Sequence, residues 1–347
     1  MRVIVAIDSL KGCVTSQEAN HAACAGVLDA CPVAQVVSLP VSDGGEGWLD
    51  AFGHIWGGEL CAVRVSDPLM RPITAHYLRK GDEAVIEVAR VCGLTLLAPD
   101  ERNPLVATTY GVGQMIAHAA GQGCRRFIVG LGGTATSDAG MGMMQALERS
   151  GVPRQGLQFT IATDVTNPLC GAEGAARVFA PQKGATPAVV AELDARAARY
   201  AHQAAADCGF DRSHESGAGA AGGLGYAFMQ FFGAECRSGA EVLLDAAHFD
   251  RLLTDASLVI TGEGAADPQT LMGKLPGAVL RRAQRHGVPT CLAAGRVEQR
   301  SRLLDAGFTR VECINPPDTP LHEAMRPAVA LARLRQTAAR CVPQPNK

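Results

Sequence analysis

The apolar run from Arg2 to Ile7 stops at Asp8-Ser9-Leu10-Lys11-Gly12, and this event constrains the fold more than any other in the chain. Thr15-Ser16-Gln17-Glu18 follows as a capping box, and Ala19, Ala22, Ala23, Gly26, Val27 and Ala30 continue at helical spacing. A second run, Val36 to Val41, stops at Ser42-Asp43-Gly44-Gly45-Glu46-Gly47 before a helical segment opening at Trp48. Strand, polar loop and helix repeated in this way predict a parallel sheet with crossover helices.

The pattern is interrupted and then resumes. After Leu60 three short alternating segments, 61–65, 73–77 and 84–88, are separated by turns at Asp67-Pro68 and Lys80-Gly81-Asp82, as in an antiparallel meander. From Ser257 the first pattern returns: Leu258 to Thr261 ends at Gly262-Glu263-Gly264, and further strands are expected at 290–294 and 311–314. At 347 residues, against a prior of roughly 150 per domain, two domains are expected. The fold class is therefore α/β. One Rossmann-like (flavodoxin-like) parallel-sheet domain is built from both chain ends, 1–66 and 256–347, and a second α/β domain, 67–255, is inserted.

Composition narrows the function. Hydrophobic residues make up 47% and charged residues 19%, and the formal net charge is −2, so neither nucleic acid nor an anionic membrane is the expected partner. No apolar stretch approaches the ~18 residues of a membrane span, and the N-terminal run is too short for a signal-peptide core. Twelve cysteines contain no CxxC pair and sit mostly among Ala, Val and Leu, which suits a reduced, cytoplasmic thiol inventory.

Four loops end strands with small residues and a carboxylate or lysine: 8–12, 42–47, 132–138 and 261–264. Strand ends of open parallel sheets are where ligands bind, glycine lets a backbone approach phosphate, and a carboxylate holds Mg²⁺ or takes a hydroxyl proton. Taken singly, Asp43 or Asp138 is as well explained by a tight turn and a helix cap. Thr163-Asp164-Val165-Thr166-Asn167 adds a carboxylate, hydroxyls and an amide, while Lys183 and Lys274 are either phosphate cations or solvated lysines. Gly217 to Gly223 matches GxGxxG by letter, yet no strand precedes it, and the chain has no GxxxxGK[ST] loop and no GxSxG elbow.

In this order these segments resemble the bacterial glycerate kinases of glycolate and glucarate catabolism. The resemblance runs through 8–12, 41–47, 108–113, 130–142, 164–169, 179–185 and 217–225, then 258–264 with Asp267, Gln269, Thr270, Gly273 and Lys274. It implies ATP-dependent phosphorylation of D-glycerate, at the 2-hydroxyl, with Mg²⁺, by a two-domain protein. By that resemblance Lys11, Asp43 and Asp164 are the catalytic candidates. Asp8, Ser9, Gly44, Gly45, Glu46, Gly132, Gly133, Thr134, Asp138, Asn167, Lys183, Glu263, Asp267 and Lys274 are the substrate- and phosphate-binding candidates. Asp43, Asp164 or Asp267 is expected to hold Mg²⁺ or accept the glycerate proton.

The chain departs from the family pattern at Trp48, where a small residue is common, and at Ala265, where arginine is frequent. A kinase for another small hydroxy acid, or a non-catalytic sugar-acid-binding regulator, would share most of these loops. Retention of Asp8, Asp43, Asp138, Asp164, Glu263 and Asp267 favours catalysis.

Overall fold

A computed structural model describes residues 1–343. Among the described residues the strands in chain order are β1 (Arg2–Ile7), β2 (Gln35–Ser38), β3 (Glu59–Ser66), β4 (Pro72–Lys80), β5 (Glu83–Glu87), β6 (Arg126–Gly130), β7 (Gln158–Ala162), β8 (Glu235–Arg237), β9 (Leu258–Ala266), β10 (Thr290–Val297) and β11 (Arg310–Cys313). They form two sheets, and the chain separates into two compact units, one around each sheet.

The first unit comprises residues 1–43, 50–56 and the chain from 240 onward. Its sheet runs β11-β10-β9-β1-β2, every pair parallel. Numbered along this unit, the order is 2-1-3-4-5, which makes the sheet flavodoxin-like. β1 is an interior strand between β9 and β2, and Val3 to Ile7 are completely buried. Such continuous burial is what a strand covered by helices on both faces requires. The helix Ser16–Ala30 begins at the expected capping box: Glu18 N–H donates to Thr15 Oγ1 at 3.2 Å, and Thr15 N–H donates to Glu18 Oε2 at 2.8 Å.

The second unit comprises residues 44–49 and 57–239. β3 and β4 pair antiparallel, as do β4 and β5, and the sheet continues parallel through β6, β7 and β8. The meander is thus the antiparallel edge of a mixed sheet. Helices Tyr110–Gly121 and Met141–Ser150 pack together at Gly113, where a Cβ would meet Met143 O at 2.3 Å. The chain passes between units at 43/44, 49/50, 56/57 and 239/240, whereas the sequence expectation places the boundaries at 66/67 and 255/256. Two elements account for the difference. β3 is laddered along its whole length to β4, and the segment after Gly239 is fastened to helix Leu275–Arg285 by Arg282, which donates to Glu241, Asp245 and Asp250.

In the first unit the C-terminal helix Pro327–Cys341 lies against Ser16–Ala30 at a glycine contact. A Cβ on Gly26 would stand 2.0 Å from Arg335 O, so only glycine permits this approach. Gly26→Ala should force the two helices apart and lower unfolding free energy by about 3 kcal/mol. Gly53→Ala is the control, since a Cβ there meets nothing within 4 Å; it should stabilise by about 1 kcal/mol through helix propensity. Denaturant unfolding of both variants reads the difference, and equal effects would mean that the helix contact yields freely.

Candidate active site

In a flavodoxin-like sheet the crossover connections leave β1 in opposite directions, and the carboxyl ends of β1 and its neighbour β9 frame a crevice. The sequence puts chemistry there on both strands. Asp8 is the first residue past β1, and Glu263, Gly264 and Ala265 lie toward the carboxyl end of β9. Around them the first unit opens a cleft of about 570 Å³, lined by Asp8, Ser9, Lys11, Asp43, Glu263 and Lys274 among others. This volume suits a small-molecule ligand. β9 and β10 come close enough to build it because residue 262 is glycine: a Cβ there would meet Ala293 O at 2.0 Å.

The charges of the cleft are paired but not relaxed. Lys11 Nζ stands 3.1 Å from Asp43 Oδ2, and Lys274 Nζ stands 3.8 Å from Glu263 Oε2. Glu263 Oε1 accepts from Thr270 Oγ1 at 2.6 Å. Asp8 is only 8% exposed, and its Oδ1 accepts the Ser9 N–H at 2.7 Å. Burial first, and the Asp43 charge second, push the Asp8 carboxyl from 3.8 up to about 7, against the opposing pull of Ser9 and Lys11. Burial also raises Glu263 above the usual carboxylate range. A carboxyl that titrates near neutrality in a lysine-lined cleft is equipped to accept a proton there.

The remaining sequence candidates fall elsewhere. Asp267 caps the turn Pro268–Leu271, its Oδ1 accepting the Gln269 N–H at 2.7 Å, so its carboxylate serves the backbone. Asp138 belongs to the second unit and is saturated. Its Oδ2 accepts from Thr108 Oγ1, Thr109 N, Thr109 Oγ1 and Gly142 N, and its Oδ1 accepts from Gly140 N, all within 3.2 Å. Such a carboxylate ties two loops together and has little capacity left for a ligand.

The glycines expected to cradle phosphate pack against each other. Gly132 N–H donates to Gly44 O at 3.0 Å, and a Cβ on Gly132 would meet Gly45 Cα at 2.4 Å. Trp48, where a small residue is common in the family, is buried against Gly130. The glycines at 222 and 223 likewise pack on residues 136–139. Gly133, at φ +73°, and Thr134 complete the same loop.

Asp164 Oδ1 accepts from Ser238 Oγ at 2.9 Å, Asn167 donates to Glu173 O, and Glu46 is exposed. Lys183 is buried, not solvated: its Nζ donates to Thr136 O at 2.6 Å, and burial lowers it to about 8. Holding a charged lysine there at neutral pH costs on the order of 3 kcal/mol.

Several cleft residues carried no signal in the sequence. Arg296 on β10 stands in register opposite Ala265 on β9, and both line the cleft. Leu321, Ala324 and Met325 add an apolar wall from a short helical turn, Leu321–Ala324, that nothing local distinguishes from surface helix.

Fold and cleft together define an α/β protein with an acid-and-lysine site at the switch point of a flavodoxin-like sheet. The glycerate kinase family model matches residues 3–152 and 148–343. The glycerate kinase of Haemophilus influenzae is 38% identical over 324 positions, covering 85% of this chain and 86% of that protein. The glycerate kinase of Bacillus subtilis is 37% identical over 358 positions, covering 94% of each. A crystal structure of a "putative glycerate kinase 2" from Salmonella typhimurium LT2 matches with a TM-score of 0.82 at 36% identity, covering 98% of this chain and 96% of that one. The chain belongs to the glycerate kinase family.

The raised Asp8 has a consequence for stability. Between its unfolded value near 4 and about 7, the folded protein holds a proton that the unfolded chain releases, so stability falls as pH rises through that window, by on the order of 4 kcal/mol. Asp8→Asn should therefore be more stable than the parent at pH 8, with the difference closing toward pH 4. Thermal unfolding of both proteins across this range measures it. A gap that does not change with pH would mean that Asp8 titrates as an ordinary carboxylate.

Proposed function

We propose that the protein transfers the γ-phosphoryl group of ATP to the 2-hydroxyl of D-glycerate, with Asp8 as the general base. The observation that carries this reading is a carboxyl raised to about 7 at the β1–β9 switch point of a glycerate kinase family member. Ionised Asp8 would accept the hydroxyl proton as the glycerate oxygen bonds to phosphorus and the bond to the leaving ADP oxygen breaks. Lys11 and Lys274 would face the charge on the phosphates, each already drawn to a carboxylate of the cleft. This arrangement is economical because phosphoryl transfer asks the protein chiefly for positioning and charge stabilisation.

Among the described residues no group of three or more His, Cys, Asp or Glu side chains is placed to hold a metal ion. Mg²⁺ in kinases is commonly held by one or two carboxylates together with the substrate phosphates, so a full protein cage is not required. Asp43 and Glu263, the cleft carboxylates that face lysines, suit that role better than Asp164, in the other unit, or Asp267, a cap. When bound, the ion would neutralise phosphate charge. Among the described residues no helix is long and apolar enough to cross a membrane, and the cysteines are free thiols. Both facts are consistent with a cytoplasmic enzyme of organic-acid catabolism.

³¹P NMR of the protein with Mg-ATP and D-glycerate tests the reaction. Growth of 2-phosphoglycerate with ADP is expected, and 3-phosphoglycerate would overturn the choice of hydroxyl. Asp8→Asn should lower kcat by about 10²-fold or more while leaving the KM for ATP nearly unchanged, since the lost contact acts in the transition state. Undiminished turnover would pass the base role to another group.

A further inference from the structure

The cleft of the first unit is lined by two chemically different sets of side chains. One is charged, with Asp8, Lys11, Asp43, Glu263, Lys274 and Arg296. The other is made by Leu10, Leu321, Ala324 and Met325. Leu321 is 76% exposed and Met325 is 38% exposed, although both line a concave site. Large apolar side chains left wet inside a cleft fit a flat apolar ligand face.

The apolar set is built rigidly. Leu10 and Val14 exchange backbone hydrogen bonds, N–H to O at 3.0 and 3.1 Å, and close the loop after β1 into a tight turn. A Cβ on Gly12 in that turn would lie 3.4 Å from Met325 Cε, so the turn runs close beside the wall. Arg333 of the C-terminal helix ties down the segment that carries Leu321 and Met325, donating to Glu323 and, at 2.8 Å, to Asn315 Oδ1. Asn315 also donates to Gly295 O at 2.8 Å, so its amide is already engaged by the protein.

We propose that this wall is the platform for the nucleobase of ATP, and that the phosphates extend from it past Lys11 toward Lys274 and Arg296. The inference rests on the kinase reading for the identity of the ligand and adds where and how the nucleotide lies. The sequence supports the geometry: Leu10 and Lys11 are adjacent, so a single rigid turn supplies both the edge of the platform and the first cation. Glycerate does not account for the wall, because it has no apolar face large enough to cover Leu321 and Met325.

Recognition through the face of the base requires little edge discrimination, and the engaged Asn315 amide agrees with that. Leu321 and Met325 are exposed, so substitutions there are compatible with folding.

Isothermal titration of the purified protein with ADP and, separately, with inorganic tripolyphosphate tests the proposal without turnover. Leu321→Asp is expected to weaken ADP at least about tenfold and to leave tripolyphosphate, which has no base, unchanged. Lys274→Met should weaken both ligands. The proposal is overturned if Leu321→Asp leaves ADP within about twofold of the parent, or weakens tripolyphosphate as much as ADP. The kinase reading fails separately. Selective loss of ADP in a protein that never phosphorylates glycerate keeps the platform and removes the reaction. Normal turnover with unaltered ADP affinity in Leu321→Asp does the reverse.

Discussion

The parallel pairing of β1 with β9 is the contact on which the site depends. It joins residues 255 positions apart, with Thr261 Oγ1 donating to Ala6 O at 2.7 Å beneath the ladder from Val3–Leu258 to Ile7–Gly262. No crossover helix links these strands directly, because the whole second unit is threaded between β2 and β9. The pairing therefore closes a long loop, an entropic cost that grows slowly with length but must be met before the contact returns anything. Complete burial of both strands from Val3 to Ile7 and from Val259 to Ile260 supplies that return. It also brings two carboxylates, Asp8 and Glu263, to the same end of the sheet.

Those carboxylates show where the fold has given up stability. Burial raises both, and nothing in the packing of a flavodoxin-like sheet requires acids at these positions. Lys183 in the second unit follows the same logic with the opposite sign, a cation held where burial disfavours its charge. Each is an ionisable group held where burial disfavours its charge, and packing alone gives no reason for that choice of residue. Asp138, by contrast, is buried with both oxygens hydrogen-bonded, four donors on Oδ2 and one on Oδ1, and it ties the surrounding loops together.

Much of the architecture was legible in the sequence because it is written in local signals. The Thr15–Glu18 capping box, the apolar run of β1 and the turn-punctuated meander each depend on neighbours within a few residues. The roles of the glycines were not legible. A glycine that admits phosphate and one that admits another loop look alike until the partner is known, and for Gly132 the partner is Gly44, 88 residues earlier. Asp267 is a similar case: an acid followed by proline and a hydroxyl three positions on is a cap by geometry, whatever its neighbours suggest. β3 likewise alternates like an independent hairpin strand, and its ladder to β4 joins it to the sheet of the second unit.

Ala265 illustrates how a site can hold its charge while its sequence changes. The resemblance places an arginine there, and the absence of one leaves β9 without a cation at the cleft. Side chains at paired positions of adjacent strands project to the same face within about 5 Å of each other. Arg296 is the register partner of Ala265 on β10, so a guanidinium can reach nearly the same volume from the next strand. Its recorded ion pair is with the exposed Glu298, 3.3 Å away, and a pair so exposed is broken at little cost when an anion approaches. Scanned along the chain, these positions are 31 residues apart and unrelated; across the sheet they are neighbours. A cation missing from one strand is therefore best sought at its register partner before the site is counted as deficient.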